Sequence, residues 1–284
     1  MSTAFSMPFG ATLVDGGGVA FSVWAPGADQ VVLEHAALDR FSDHTMARDA
    51  QGWHRIVLPC ARAGDSYRYR LPDGLVVPDP ASRFNPLDVH GASQVIDPHA
   101  YRWQDGDWRG RPWHEAAIYE LHVGTFTPEG TFAAARARLP YLADLGITAI
   151  ELMPLAQFPG RRGWGYDGVL LFAPQPTYGT PDELRALVDA AHALGLMVLV
   201  DVVYNHFGPD GNYLHAYCPP FFNAAHQTPW GAAINYDGAH AATVRDFMIA
   251  NALYWVQEFH VDGLRVDAVH ALRDDSPRHI VQAI

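Results

Sequence analysis

Apolar residues follow two different rhythms along these 284 residues, and the change falls near residue 100. Before it, Val19–Trp24, residues 30–34, Trp53–Leu58 and Ser66–Arg70 are short runs, alternating or rich in β-branched and aromatic residues. Such runs predict half-buried strands. Pro26-Gly27, Gly64-Asp65 and Pro72-Asp73-Gly74 punctuate them as turns, so a small β-sandwich is expected. Residues 77–98, with Pro78, Pro80, Pro86 and Pro98, lack any period and read as a linker.

Beyond residue 113 the pattern switches. Residues 117–125, 147–153, 196–203 and 263–269 predict strands, and residues 131–145, 181–194 and 241–259 predict helices. Gly146 and Gly195 stop the first two helices. Residues 196–203 are apolar without alternation, as in a strand covered on both faces. Residues 207–238 form an insertion rich in Gly, Pro and aromatic side chains. Repeated β-α units predict a parallel sheet with right-handed crossovers.

Chemistry gathers where two of these strands end. Asp201, Asn205 and His206 close the third strand, and Arg265 and Asp267 close the fourth. Arg265 and Asp267 occupy alternate positions, so their side chains are expected on one side, with Leu264, Val266 and Ala268 on the other. A cation beside a carboxylate favours the charged form that a nucleophile needs. Either cluster by itself fits a turn or a structural ion pair. Two polar clusters ending successive buried strands are harder to explain as packing, and barrels of β-α units build active sites at that end. Between the second and third strands, Trp164 and Tyr166 are flanked by Gly163, Gly165 and Gly168, which suits stacking on a sugar ring.

Composition narrows the partners. Nineteen Lys and Arg against 31 Asp and Glu give a net charge of −12, which argues against nucleic acid or anionic lipid. Only Cys60 and Cys218 are present, so a reducing compartment fits and a disulfide framework does not. Residues 1–10 lack the pattern of a secretory leader, and no apolar run is long enough to span a membrane. A cytoplasmic location is expected. No Cys/His cluster has zinc spacing and no phosphate-binding Gly loop occurs, so neither a metal nor an organic cofactor is expected. His122 and His270 read as hydrogen-bonded strand-end residues.

Taken together, these passages resemble the α-amylase superfamily of glycoside hydrolases. Residues 201–206 (Asp-Val-Val-Tyr-Asn-His) and 263–270 (Gly-Leu-Arg-Val-Asp-Ala-Val-His) are similar to two of its short motifs. The resemblance implies a multidomain chain. An immunoglobulin-like, carbohydrate-binding-module-like sandwich over residues 1–100 would precede the first half of a (β/α)8 barrel over 101–284, with an insertion at about 207–240. A closer likeness, carried by residues 79–86, 89–91, 120–131 and 164–174, is to the branch that hydrolyses the α-1,4 bond next to the trehalose end of maltooligosyl-trehalose. Residue by residue, it implies Asp267 as nucleophile and Arg265 as the group that orients it. His206 and Tyr166 would hold the sugar, Asp201 would support Arg265, and Asn205 would order the loop. Trp164 and His270 are further candidates for sugar contact. Some superfamily members bind calcium near the Asn205 equivalent, but this branch does not imply it.

Half of that chemistry has no candidate. A retaining glycosidase needs two carboxyl groups about 5–5.5 Å apart. The superfamily's acid/base Glu ends the fifth strand, whereas residues 117–284 are too few for a barrel of about 250 residues. Glu151 lies inside the second strand and Glu258 near a helix end, so neither is a substitute. The chain is therefore expected to be a fragment, inactive alone. Branching or debranching of an α-glucan, and non-catalytic glycan binding, are the competing readings.

Overall fold

The computed structural model describes residues 7–38 and 40–284. Residues 1–6, part of the stretch read as lacking a leader pattern, lie outside them. Nine strands build the first unit: β1 Gly10–Leu13, β2 Val19–Trp24, β3 Val32–Ala36, β4 Ser42–Thr45, β5 Ala47–Arg48, β6 Trp53–Leu58, β7 Ser66–Arg70, β8 Val76–Val77 and β9 Ser93–Gln94. They form two sheets, β1-β2-β6-β5 and β4-β3-β7-β8, with β9 also on β7. Alternation decides the inward faces. Tyr67 and Tyr69 on β7 are buried between half-buried Ser66, Arg68 and Arg70, and Val19, Phe21 and Val23 of β2 turn inward likewise.

Residues 77–98 are not a loose linker. Both β8 and β9 add to the second sheet, and Asp79, Ser82, Arg83, Asn85, Val89 and Val95 between and around them are buried. Side-chain bonds replace a ladder here, which is why no period is visible. The Asp79 carboxylate accepts from the hydroxyls of Tyr67 (2.8 Å) and Tyr69 (3.3 Å) and from the Ala81 amide (2.9 Å). Burial nevertheless pushes its pKa up to about 6.

A carboxyl that holds its proton more tightly when folded contributes most below its unfolded pKa of about 3.9 and loses that contribution as pH rises through 6. Asp79→Asn is expected to remove this slope. Wild type minus variant stability should fall by roughly 2 kcal/mol between pH 4 and pH 7 in urea titrations. A pH-independent difference would refute the assignment.

The second unit is a four-stranded parallel sheet of β10 Ile118–Leu121, β11 Ala149–Leu152, β14 Met197–Val202 and β17 Gly263–Val266, in that order. Hairpins β12 Ala156–Gln157 with β13 Leu170–Pro174, and β15 Phe222–Thr228 with β16 Gly231–Ile234, sit in its loops. Helices α1 Val123–Phe126, α2 Phe132–Asp144, α3 Pro181–Ala193, α4 Leu214–Tyr217, α5 Ala241–Glu258 and α6 Ile280–Ala283 complete it. A capping box between Thr180 and Glu183 starts α3. All six residues of β14 are buried, as its unbroken apolar run predicts. This is the first half of a (β/α)8 barrel following an immunoglobulin-like sandwich. Strands β10 and β17 are its outer strands, and Ile118 on β10 is 42% exposed.

Two predicted strands are shorter than their apolar runs. The first stops at Leu121, because residues 123–126 turn into α1. The last stops at Val266, because Ala268 takes a left-handed conformation (φ 42°). Leu264 and Val266 are only half-buried rather than inside an apolar layer. No helix among the described residues is long and apolar enough to cross a membrane.

The two units share packing. Phe9 of the sandwich meets Phe247 of α5 edge-on at 5.1 Å. The Gly27 amide donates to the Tyr217 carbonyl (2.9 Å). Arg83 reaches across from the connection to Glu258, at 3.2 Å.

Candidate active site

Parallel register brings the strand ends level. Leu121 pairs with Leu152, Leu152 with Val200, and Asp201 with Arg265. One step on, His122, Met153, Asp201 and Arg265 therefore form one row across four neighbouring strands. Asp267 follows β17, and its amide still donates to the Val202 carbonyl (2.9 Å), so the ladder holds it in place.

Arg265 is the hub of the row. Its Nη1 donates to Asp201 Oδ2 and to Asp267 Oδ1, both at 2.7 Å. The Tyr166 hydroxyl donates to the same Asp201 oxygen at 3.0 Å. Hydrogen bonding to Asp201, then the charges of both carboxylates, push the Arg265 guanidinium above its already high range. Burial pushes the Asp201 carboxyl up to about 6, against the pull of Arg265 and Tyr166. Tyr166 is pushed up to about 12, chiefly by burial and then by the Asp201 charge, so its hydroxyl stays a proton donor at neutral pH.

His206 is buried, and its ring stacks on Trp230 at 4.4 Å, only 10° from parallel. Burial lowers its pKa, which favours the neutral, hydrogen-bonding imidazole. Asn205 is 2% exposed, and neither end of its amide finds a partner among the described residues. Trp164 is 77% exposed and lines a cavity together with His122 and Met153. His270 lies in a turn after Ala268, exposed and without a side-chain hydrogen bond among the described residues, contrary to the bonded role expected of it. Asp267, Arg265, Asp201 and Tyr166 are thus directly connected, whereas Trp164 and His270 stand apart from that network.

The glycines of residues 163–168 allow close contact between loops. The Gly208 amide donates to the Gly168 carbonyl (3.1 Å), and a Cβ on Gly208 would stand 2.1 Å from the Asp167 carbonyl oxygen. At Gly165 φ is +96°, and a Cβ would lie 2.3 Å from the Pro154 carbonyl oxygen. Gly165→Ala is expected to displace Tyr166 from Asp201 and destabilise the chain by about 1–3 kcal/mol. Unchanged urea stability would contradict the contact.

A cavity of about 800 Å³ opens beside this row, lined by His122, Thr125, Met153, Arg161, Trp164 and Tyr178 among others. His122 Nε2 contacts the Gly163 carbonyl (2.8 Å) and the Tyr178 hydroxyl (3.0 Å), which fixes one wall. Met153 and Tyr178 carry no motif in the sequence. Only the register, which sets Met153 opposite Asp201, marks it.

Residues 89–218 match the α-amylase catalytic domain, and residues 8–80 match carbohydrate-binding module 48, the isoamylase N-terminal domain. The chain is 50% identical over 278 residues to the malto-oligosyltrehalose trehalohydrolase of Saccharolobus solfataricus, covering 98% of this chain and 48% of that protein. The Deinococcus radiodurans protein of the same name is 46% identical, with 96% and 44% covered. A crystal structure from Salmonella typhimurium, provisionally assigned as an α-amylase, superposes with a TM-score of 0.93 at 49% identity, over 97% of this chain and 46% of that one. The chain spans about half the length of the curated relatives it matches.

Proposed function

Because this chain belongs to the α-amylase family of glycoside hydrolases, we propose that it carries the nucleophile half of a retaining active site that releases trehalose from maltooligosyl-trehalose. The observation that carries the proposal is the Arg265 guanidinium clamped between Asp201 and Asp267 at adjacent strand ends. Asp267 attacks the anomeric carbon of the glucose next to the trehalose unit. The α-1,4 bond breaks, a glycosyl-enzyme ester forms, and the leaving oxygen of trehalose takes a proton from a second carboxyl group. Water, deprotonated by that same group, then hydrolyses the ester, and two inversions give net retention.

Arg265 faces Asp267 with positive charge and holds its oxygen in line. Asp201 anchors Arg265 from the neighbouring strand, and Tyr166 closes the pair while offering its ring to the sugar. His206 bonds the sugar, with Trp230 stacked behind it, and Asn205 supports the loop between them. Trp164 and His270 serve as outer contacts. The substrate class is an α-glucan, the location cytoplasmic, and the boundary between sandwich and barrel lies near residue 100.

Product analysis of the enzyme carrying its whole barrel tests the reading. Trehalose and a maltooligosaccharide, released with retained configuration, are the expected products. A branching-enzyme relative from Rubrobacter xylanophilus is 37% identical over 90% of this chain, so glucan branching is the second reading. New α-1,6 linkages without free trehalose would favour it.

A further inference from the structure

Three ligating side chains converge away from Asp267, where the β15–β16 hairpin meets the segment after β17. His226 Nε2 lies 2.7 Å from Asp237 Oδ2 and 3.9 Å from Asp275 Oδ2. One ligand atom from each of the three residues falls within 4.8 Å of the others.

Their convergence is built by the backbone. Pairing in the hairpin runs Phe222 to Ile234 and Asn223 to Ala233, then resumes only at Gln227 and Ala232. Ala224, Ala225 and His226 are left out of the ladder as a bulge, a device that re-aims a side chain. Asn223 Oδ1 accepts from the Ala225 amide (3.0 Å), and Asn223 Nδ2 donates to Asp237 Oδ1 (2.8 Å). From a distant part of the chain, the Asp275 amide donates to Asp237 Oδ2 (2.9 Å), which delivers a second carboxylate to the same spot.

The electrostatics leave room for a cation. Among the described residues neither Asp237 nor Asp275 pairs with Arg, and His226 is the one basic side chain beside them. The Asp275 side chain is 88% exposed and free to swing.

We propose that His226, Asp237 and Asp275 bind one first-row divalent cation of the Zn²⁺ type. One imidazole nitrogen with two carboxylate oxygens suits Zn²⁺ or Mn²⁺, whereas Ca²⁺ and Mg²⁺ prefer oxygen alone. Bonds of about 2.0–2.2 Å place neighbouring tetrahedral ligands roughly 3.3–3.5 Å apart. The contacts of 2.7 and 3.9 Å bracket that spacing, and rotation of Asp275 closes the set. Water fills the remaining position. The ion ties the hairpin that carries Trp230, stacked on His206, to the segment that leads back to Asp267. It acts there as a brace for the substrate-facing loop, without a part in bond cleavage.

Zn²⁺ alone, titrated calorimetrically into the metal-free 284-residue chain, tests this. Exposed Cys60 is a rival thiol ligand, so the background is Cys60→Ser. One saturable site per chain is expected, with a melting temperature that rises with Zn²⁺ concentration. Asp275→Ala alters an exposed side chain, so it leaves the fold intact, and it should weaken affinity at least tenfold. His226→Ala should do the same, and Mn²⁺ should compete where Ca²⁺ does not. Absence of a one-to-one site, equal affinity in Asp275→Ala and His226→Ala, or preference for Ca²⁺ would each overturn the proposal.

Discussion

Asp267→Asn, made in the enzyme that carries its whole barrel, is expected to lower kcat on maltooligosyl-trehalose by about 10⁴-fold or more. The substitution is nearly isosteric and keeps an oxygen toward Arg265, whose bond to Asp201 at 2.7 Å is untouched. Stability and substrate affinity should therefore change little. What disappears is the nucleophile, because an amide oxygen cannot form the glycosyl ester that divides the reaction into two steps. A glucosyl fluoride isolates this step, since fluoride leaves without protonation. Wild type should form a covalent adduct on the peptide containing Asp267, detectable by mass, and the variant none. Variant activity within a factor of ten of wild type would exclude Asp267 as nucleophile. Arg265→Lys should also lose activity, because the lysine ammonium ends one bond short of Nη1, the atom that donates to both carboxylates.

Glu258→Ala is expected to cost about 3–5 kcal/mol of stability, with no catalytic role involved. Its side chain is 6% exposed and lies between Arg83 at 3.2 Å and Arg185 at 3.8 Å. Arg185 is wholly buried, with its guanidinium over the Phe259 ring at 4.7 Å. Without Glu258 it keeps Asp182, 56% exposed, and the residue 258 carbonyl at 3.4 Å as partners. A buried guanidinium short of its counter-charge is costly, and because Arg83 spans the two units the loss also loosens sandwich from barrel. The urea midpoint should fall sharply in Glu258→Ala. Asp182→Ala, at an exposed partner, should shift stability by less than about 1 kcal/mol. A Glu258→Ala loss below about 1 kcal/mol would show that the cluster is not an interface anchor. The same pairing explains why Glu258 is no catalytic acid. It ends α5 before the chain enters β17, at the opposite end of the strand from Asp267.

Much of this architecture was legible from local pattern. The period of two in β2 and β7, the unbroken apolar run of β14 and the Gly195 stop after α3 each depend on neighbours a few residues away. Residues 77–98 were not legible, because β8, β9 and Asp79 are held by β7 through contacts that no sequence period records. The ends of β10 and β17 were overextended for a related reason. Apolar residues continue past Leu121 and Val266, but backbone turns at α1 and at Ala268 take them out of the sheet.

At the site, the residue types Asp201, His206, Arg265 and Asp267 and their place after apolar runs are properties of the chain itself. Strand periodicity puts them at strand ends without any knowledge of partners. Which of them meet is different. That Arg265 bridges two carboxylates and that Met153 joins the row follow from the register of parallel strands, and that Tyr166 rather than Trp164 reaches Asp201 follows from how the loop around Gly165 packs on Pro154. The hairpin bulge that turns His226 toward Asp237 belongs with them. Periodicity is a local consequence of backbone geometry, whereas register and bulges are settled only when distant segments compete for the same hydrogen bonds and the same buried space.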